Sequence, residues 1–110
     1  MKNGLYKVSF KTQLGEGAGV VVLDNGKIRG GDSRMFYTGT YNESASTFAG
    51  SVVTAKHSDA AGAPSIFGLD GGVHMCIKGR STDTSVEMTG MAREAPGVTF
   101  EAKLTLLSET

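Results

Sequence analysis

The sequence predicts an all-β protein whose eight strands close into one antiparallel up-and-down barrel. Apolar and polar residues alternate with a period of two along most of the chain, and helical periodicity is nearly absent. Glycine accounts for 16 of the 110 residues, and it supplies the tight turns and strand bends that a small barrel needs. Strands recur roughly every ten residues with short turns between them, which is the pattern of a meander.

The two ends of the chain carry the clearest strand patterns. Within Val98–Leu107, apolar residues alternate with threonine, glutamate and lysine. Near the N-terminus, Tyr6, Val8 and Phe10 alternate with polar residues in the same way. Because closing a sheet removes its exposed edges, we expect these first and last strands to pair with each other.

Six further strands are predicted between the ends. Asp24–Gly26 contains the pair Asn-Gly, which accepts the positive φ angles of a type I′ hairpin turn. Further turns are expected at Asn42–Ser46, Gly79–Thr84 and Arg93–Gly97. The six strands are Ala18–Leu23, Lys27–Gly30, Met35–Tyr41, Thr47–His57, Val73–Lys78 and Ser85–Ala92.

The length predicts a single domain, residues 1–110, because two domains would each be too short for an independent core. An eight-stranded barrel has an interior just wide enough to be filled by side chains or to hold one small ligand. An open-ended β-sandwich is the alternative fold.

The alternation also predicts which side chains face the lumen. Aromatic residues and methionines among them form either an adaptable apolar pocket or a plain core, and the short chain favours the plain core. In Ala18–Leu23, Val20 and Val22 are assigned to the inward face. The candidate ligand-binding residues are Tyr6, Val8, Phe10, Val22, Phe48, Val52, Met75, Met88, Phe100 and Leu104.

One segment, His57–Gly71, lacks the alternation. It contains Ile66, Phe67 and Leu69, which need burial. Loops of this length usually carry a function or some structure of their own. We expect either a short helical turn that caps one mouth of the barrel or an interface formed by these three side chains.

The charge balance and the single cysteine exclude several classes of protein. Eleven basic and eleven acidic residues cancel, so no basic stripe is expected and direct nucleic-acid binding is not predicted. Cys76 alone forms no intrachain disulfide, in agreement with a reducing compartment. Without a signal-like segment or a long apolar run, the expectation is a cytoplasmic protein that does not enter a membrane.

No pattern is typical of a catalytic, cofactor or metal centre, so we predict a protein that is not an enzyme. Gly15–Gly19 lacks the Lys-Ser/Thr of a phosphate-binding loop and is interpreted as a flexible strand connection. His57, His74 and Cys76 are the only soft metal ligands, too few on one face for zinc, and are expected to point outward. Cys76 would also need a base within hydrogen-bond reach to act as a nucleophile.

Several short motifs in the first forty residues, in this order and spacing, resemble the GrlR-like family. They are Lys2-x-Gly4-x-Tyr6-x-x-x-Phe10, Gly15-Glu16-Gly17, Gly30-Gly31-Asp32 and Tyr37-x-Gly39. The resemblance implies a lipocalin-like barrel that forms homodimers and sequesters a transcriptional activator, with no catalytic centre. The family's namesake has a run of four acidic residues after the fourth strand, where this chain has only Glu43.

Two functions therefore follow as expectations. The first is a non-catalytic regulatory protein that binds a protein partner and forms a homodimer. The second is a carrier of a small apolar molecule in the barrel lumen, for which an open cavity would be the deciding observation. An enzyme that uses Cys76 and His74 is a distant third.

Overall fold

The structure, a computed structural model, describes residues 1–58, 67–69 and 71–110 and shows a closed barrel of eight strands. Each strand pairs antiparallel with the next, and β1 pairs with β8, which confirms the predicted fold class. The strands are β1 (Gly4–Thr12), β2 (Gly15–Asp24), β3 (Lys27–Gly31), β4 (Met35–Ser44), β5 (Thr47–Lys56), β6 (His74–Ser81), β7 (Ser85–Ala92) and β8 (Ala95–Glu109).

The seam between β1 and β8 closes the barrel as the patterns of the two ends predict. Tyr6, Val8 and Phe10 of β1 lie opposite Leu106, Leu104 and Ala102 of β8, and the register shifts once, between Leu5 and Tyr6. The strand β8 begins earlier than predicted, at Ala95, so the preceding turn consists of two residues rather than five.

The hairpin between β2 and β3 has the predicted geometry. Asn25 and Gly26 have φ angles of 48° and 86°, both positive as a type I′ turn requires. The N–H of Tyr41 donates to the carbonyl of Gly26 at 2.9 Å, which fixes this turn against the end of β4.

The interpretation of Gly15–Gly19 as a flexible connection is wrong, because these residues form the first half of β2. Its glycines serve close packing inside the barrel. A Cβ atom at Gly17 would lie 2.7 Å from the ring of Phe10, which is the cross-strand partner of Gly17. Inward glycines recur on β2 to β7, at Gly17, Gly19, Gly30, Gly39, Gly50, Gly79 and Gly90.

The predicted inward orientation of Val20 and Val22 is also wrong. Val22 is 40% exposed on the outer face, whereas Val21 and Leu23 are buried. Four consecutive apolar residues carry no alternation, so the sequence alone leaves the two faces of this stretch interchangeable. The pairing of Tyr6 with Val21 decides the register.

The two ends of the barrel differ. The end that holds both termini, here called the closed end, is filled by Tyr6, Leu23 and Val86, whose side chains are fully buried. The Met1 ammonium lies 2.5 Å from Glu43 Oε1, and the Ser81 hydroxyl donates to the other oxygen of this carboxylate. The opposite end, here called the open end, carries the β1–β2, β3–β4, β5–β6 and β7–β8 connections.

The part of the chain that the structure describes contains no apolar helix of membrane-spanning length.

Candidate ligand-binding lumen

A cavity of about 390 Å³ occupies the barrel between its middle and the open end. Most of its wall is formed by aliphatic, aromatic and methionine side chains, contributed by all eight strands. These apolar lining residues include Val8, Phe10, Val21, Ile28, Phe48, Val52, Met75, Ile77, Met88, Phe100 and Leu104. The interior is therefore not completely filled by side chains, contrary to the plain core that the short chain favours.

Eight of the ten lumen candidates from the sequence line this cavity. The two that do not are Tyr6, which lies deeper, and Val22, which faces outward. The hydroxyl of Tyr6 donates to the carbonyl of Lys2 at 2.5 Å, so this residue belongs to the closed end. That the eight residues bind a ligand remains a prediction.

The polar part of the wall lies at the open end and is built around Asp32. This residue begins the turn between β3 and β4, where its Oδ1 accepts hydrogen bonds from the N–H groups of Arg34 at 2.9 Å and Met35 at 2.8 Å. The hydroxyl of Tyr37 donates to Oδ2. Gly19 makes room for this pair, because a Cβ there would lie 3.2 Å from the Tyr37 hydroxyl.

The Asp32–Tyr37 pair sets the charge state of the mouth. Burial alone would raise the pKa of the Asp32 carboxyl, but hydrogen bonds from Tyr37, Met35 and Arg34 outweigh burial and hold the pKa below its ordinary value. Burial, followed by the hydrogen bond to Asp32 and its charge, raises the pKa of Tyr37. Asp32 is therefore an anion and Tyr37 a neutral donor at neutral pH.

The β5–β6 connection meets the open end. The Phe67 ring stacks on Phe100 with 5.8 Å between centroids and lines the cavity, while Leu69 is half-buried against the core. The Phe67 ring is buried in the lumen of its own chain, and its assignment to an interface stays a prediction. Ile66 lies outside the described residues. The expected helical turn falls mainly on residues outside those described, among which Phe67 lies in a turn and Gly68 in a bend.

The metal-ligand candidates do not meet. His74 and Cys76 are exposed on the outer face of β6, as predicted, and His57 lies at the open end with Nε2 2.9 Å from the carbonyl oxygen of Asp32. In the described residues no three His, Cys, Asp or Glu side chains converge on a point that could hold a metal.

His74 instead forms a hydrogen-bonded pair with Glu94 on the outer surface. Its N–H donates to Glu94 Oε1 at 2.8 Å, and its ring Nδ1 lies 2.6 Å from Oε2. These two hydrogen bonds, the backbone one first, lower the pKa of Glu94 to about 2. The pair ties the start of β6 to the β7–β8 turn, where the N–H of Arg93 also donates to the carbonyl of His74.

The outer surface of the barrel has two unlike halves. On β8 and its two neighbours, β1 and β7, it carries opposite charges across strands, such as Lys11 with Glu101 at 3.5 Å. On β2 to β5 it carries an apolar outer face, defined here by four side chains that are each 40% exposed or more. They are Val20, Val22, Phe36 and Val53.

The sequence comparisons do not assign the chain to a known group. Neither the protein-family models nor the curated proteins contain a match to it.

The polar mouth is the feature that sequence reasoning missed. Asp32 stands in Gly30-Gly31-Asp32, a motif that indicates only a turn or bulge. The sequence does contain an indication of the inward position of Tyr37. Alternate residues of a strand share one face, so Tyr37 lies on the same face of β4 as Met35 and Gly39. The site combines an apolar chamber with one anionic, hydrogen-bonded carboxylate at its opening, which is an arrangement suited to binding and orienting an amphipathic molecule.

Proposed function

We propose that this protein binds a small, mainly apolar molecule inside the barrel. The observation that carries the proposal is the 390 Å³ cavity with its apolar wall. Ligand pockets in proteins usually measure about 300–1,000 Å³ and combine apolar walls with a few polar groups. A filled barrel would have left only the outer surfaces for function.

The cavity volume limits the size of the ligand. A cavity of about 150 Å³ holds a benzene molecule, which has six non-hydrogen atoms. At the same ratio the lumen holds a ligand of about 15 non-hydrogen atoms. The ligand is then a medium-chain or two- to three-ring molecule, and a long-chain lipid would extend beyond the open end.

The experiment measures binding of 1-aminoanthracene, a fluorophore of this size whose emission rises in apolar surroundings. We expect saturable binding at one probe per chain. Val52→Phe places a larger side chain in the lumen and is expected to weaken binding at least tenfold. Val53→Phe is the matched control, since the neighbouring Val53 is 41% exposed on the outer face, and it should leave binding unchanged.

Two results would contradict the proposal. One is the absence of saturable binding to the folded wild-type barrel. The other is equal weakening by both variants, which would place the probe on the outside. Circular dichroism and thermal unfolding of the two variants confirm that the comparison is made between folded proteins.

A second candidate is the regulatory protein implied by the resemblance to the GrlR-like family. The specific observation in its favour is the apolar outer face on β2 to β5, because exposed apolar patches of this kind often mark protein interfaces. The acidic residue of the β4–β5 region does not contribute, since the Glu43 carboxylate is engaged by Met1 and Ser81 at the closed end.

A further inference from the structure

We propose that the lumen selects ligands by their polar head, and that Asp32 favours a hydrogen-bond-donating ammonium or hydroxyl group over a carboxylate. This inference rests on the proposed function, since it concerns the orientation of a molecule bound in the cavity. It defines the ligand class as medium-chain amines and alcohols, with the apolar part in the chamber and the head at the open end.

The geometry of the mouth leaves an acceptor facing the cavity. Asp32 Oδ1 already accepts two backbone N–H groups, whereas Oδ2 accepts one hydrogen bond, from Tyr37. Each carboxylate oxygen can accept about two hydrogen bonds. Because the Tyr37 hydroxyl uses its proton on Asp32, the pair offers an incoming head group an acceptor and not a donor.

Asp32 places a negative charge at the mouth that a carboxylate head would meet, and Arg34 is the one cation among the described residues of the wall. Glu16 also borders the cavity, but its exposed side chain lies on the outer face of β2, opposite Lys11. Arg34 has further interactions of its own. Like charges at short range in a partly desolvated site repel strongly.

Thr54, the other polar side chain that a strand contributes to the wall, lies opposite Tyr37 at the mouth, and below it the described wall is apolar. The apolar lining residues of the chamber, from Val8 to Leu104, carry no hydrogen-bonding side-chain groups. A polar head placed there would lose its hydrogen bonds to water, which costs free energy unless they are replaced. The head is thereby directed to the open end, where Asp32 lies.

The test compares decylamine, decan-1-ol and decanoate, which share a ten-carbon chain and differ in the head. Isothermal titration calorimetry at pH 8 keeps the amine cationic and the acid anionic. We expect decylamine to bind at least tenfold more tightly than decanoate, with decan-1-ol between them. Equal affinities, or the tightest binding by decanoate, would overturn the inference while leaving the proposed function standing.

The proposed function fails in a different way, through binding of none of the three. The substitution Asp32→Asn removes the charge but keeps an oxygen that can accept the turn's N–H groups. We expect it to reduce the amine-to-acid preference to threefold or less. Glu101→Gln, which removes a carboxylate from the outer face, is the matched control and should preserve the preference.

A preference that survives Asp32→Asn unchanged would overturn the assignment to Asp32. If this variant does not fold, the ligand series on the wild-type protein decides alone, since it requires no substitution. Native mass spectrometry of the amine complex checks that one molecule binds per chain, as a single lumen requires.

Discussion

Asp32 joins a structural task to the chemistry of the mouth. Its carboxylate closes the β3–β4 turn through two backbone N–H groups and fixes the hydroxyl of Tyr37 through its second oxygen. The same interactions keep it ionised, although burial acts against the charge. A residue that the sequence marks only as turn-forming thus places a negative charge at the mouth of the cavity.

The substitution Tyr37→Phe isolates this hydrogen bond. At pH 7 we expect a loss of about 1–2 kcal/mol of unfolding free energy, at or below the lower end of the range for hydrogen bonds to charged groups, because the pair is partly open to solvent. The lowered pKa of Asp32 means that the stabilisation is present above about pH 4 and is lost as the pH falls further.

The raised pKa of Tyr37 acts at the other end of the pH scale. The contribution of Tyr37 to the unfolding free energy is complete below pH 10. It decreases above that value, because the tyrosine ionises first in the unfolded chain. The difference between wild type and Tyr37→Phe in urea unfolding should therefore be largest between about pH 4 and 10. Tyr41→Phe, whose ring stacks on Phe48, is the control. A Tyr37→Phe difference that stays constant down to pH 2 would contradict the role of Asp32.

At this scale the sequence predicts side-chain orientation well where alternation is strict. Three residues lie inward as predicted, namely Val8, Phe48 and Met88. The strands that contain them alternate clearly between inward apolar residues and outward polar or small ones. Val22 is misplaced because its neighbours are also apolar, and a slip of one residue exchanges the two faces. The Asp32–Tyr37 contact depends on the shape of the turn between them, which residue spacing does not encode.

At the scale of elements, glycine determines how closely the strands approach. Gly79 on β6 lies opposite Met88 on β7. A Cβ atom at Gly79 would lie 1.9 Å from the carbonyl oxygen of Glu87 and 2.7 Å from the Cα of Met88. Both are backbone atoms, so they cannot rotate away as a side chain would, and the strand pair would have to separate.

The substitution Gly79→Ala is therefore expected to cost about 1–3 kcal/mol of stability, as overpacking does in other cores. Gly97→Ala on β8 is the matched control, because a Cβ atom there meets nothing within 4 Å. Since alanine restricts the unfolded chain more than glycine, Gly97→Ala should be neutral or stabilising by up to about 1 kcal/mol. Equal chemical-denaturation midpoints for the two variants would contradict this account.

These glycines also explain which elements the sequence predicts. The Asn25–Gly26 hairpin and the strand Ser85–Ala92 match the structure because local turn chemistry and alternation specify them. Gly15–Gly19 is mistaken for a connection because glycine in isolation indicates a turn. Its strand conformation depends on Phe10 across the sheet, which packs over Gly17, and so on a tertiary contact.

At the scale of the whole molecule, the sequence predicts a closed barrel but not whether it is hollow. Closure follows from the strand count and from the matching patterns of β1 and β8. The cavity depends on a small difference between the barrel's internal volume and the summed volume of its inward side chains. Inward glycines have no side chain and add nothing to that sum. Such a difference is not visible in a pattern of apolar and polar residues.

The uneven outer surface leads to the last prediction, which tests the homodimer implied by the family resemblance. Val20 and Phe36 both lie beside Gly31, one on each side, so the apolar outer face is continuous across β2, β3 and β4. If this face binds a second copy of the chain, wild-type protein at micromolar concentration has the mass of two chains in size-exclusion chromatography with light scattering. Phe36→Glu places a charge in the centre of the face and should yield the mass of one chain, with β circular dichroism and lumen binding retained.

The control for this experiment uses the charged half of the barrel. Thr89→Glu on β7 introduces the same charge beside Glu101, away from the apolar outer face, and should leave the mass unchanged. A wild-type protein that elutes as one chain at all concentrations would remove the homodimer, and with it the main support for the regulatory candidate. Because the lumen lies inside a single chain, that result would leave ligand binding intact, so the two candidate functions can be separated by experiment.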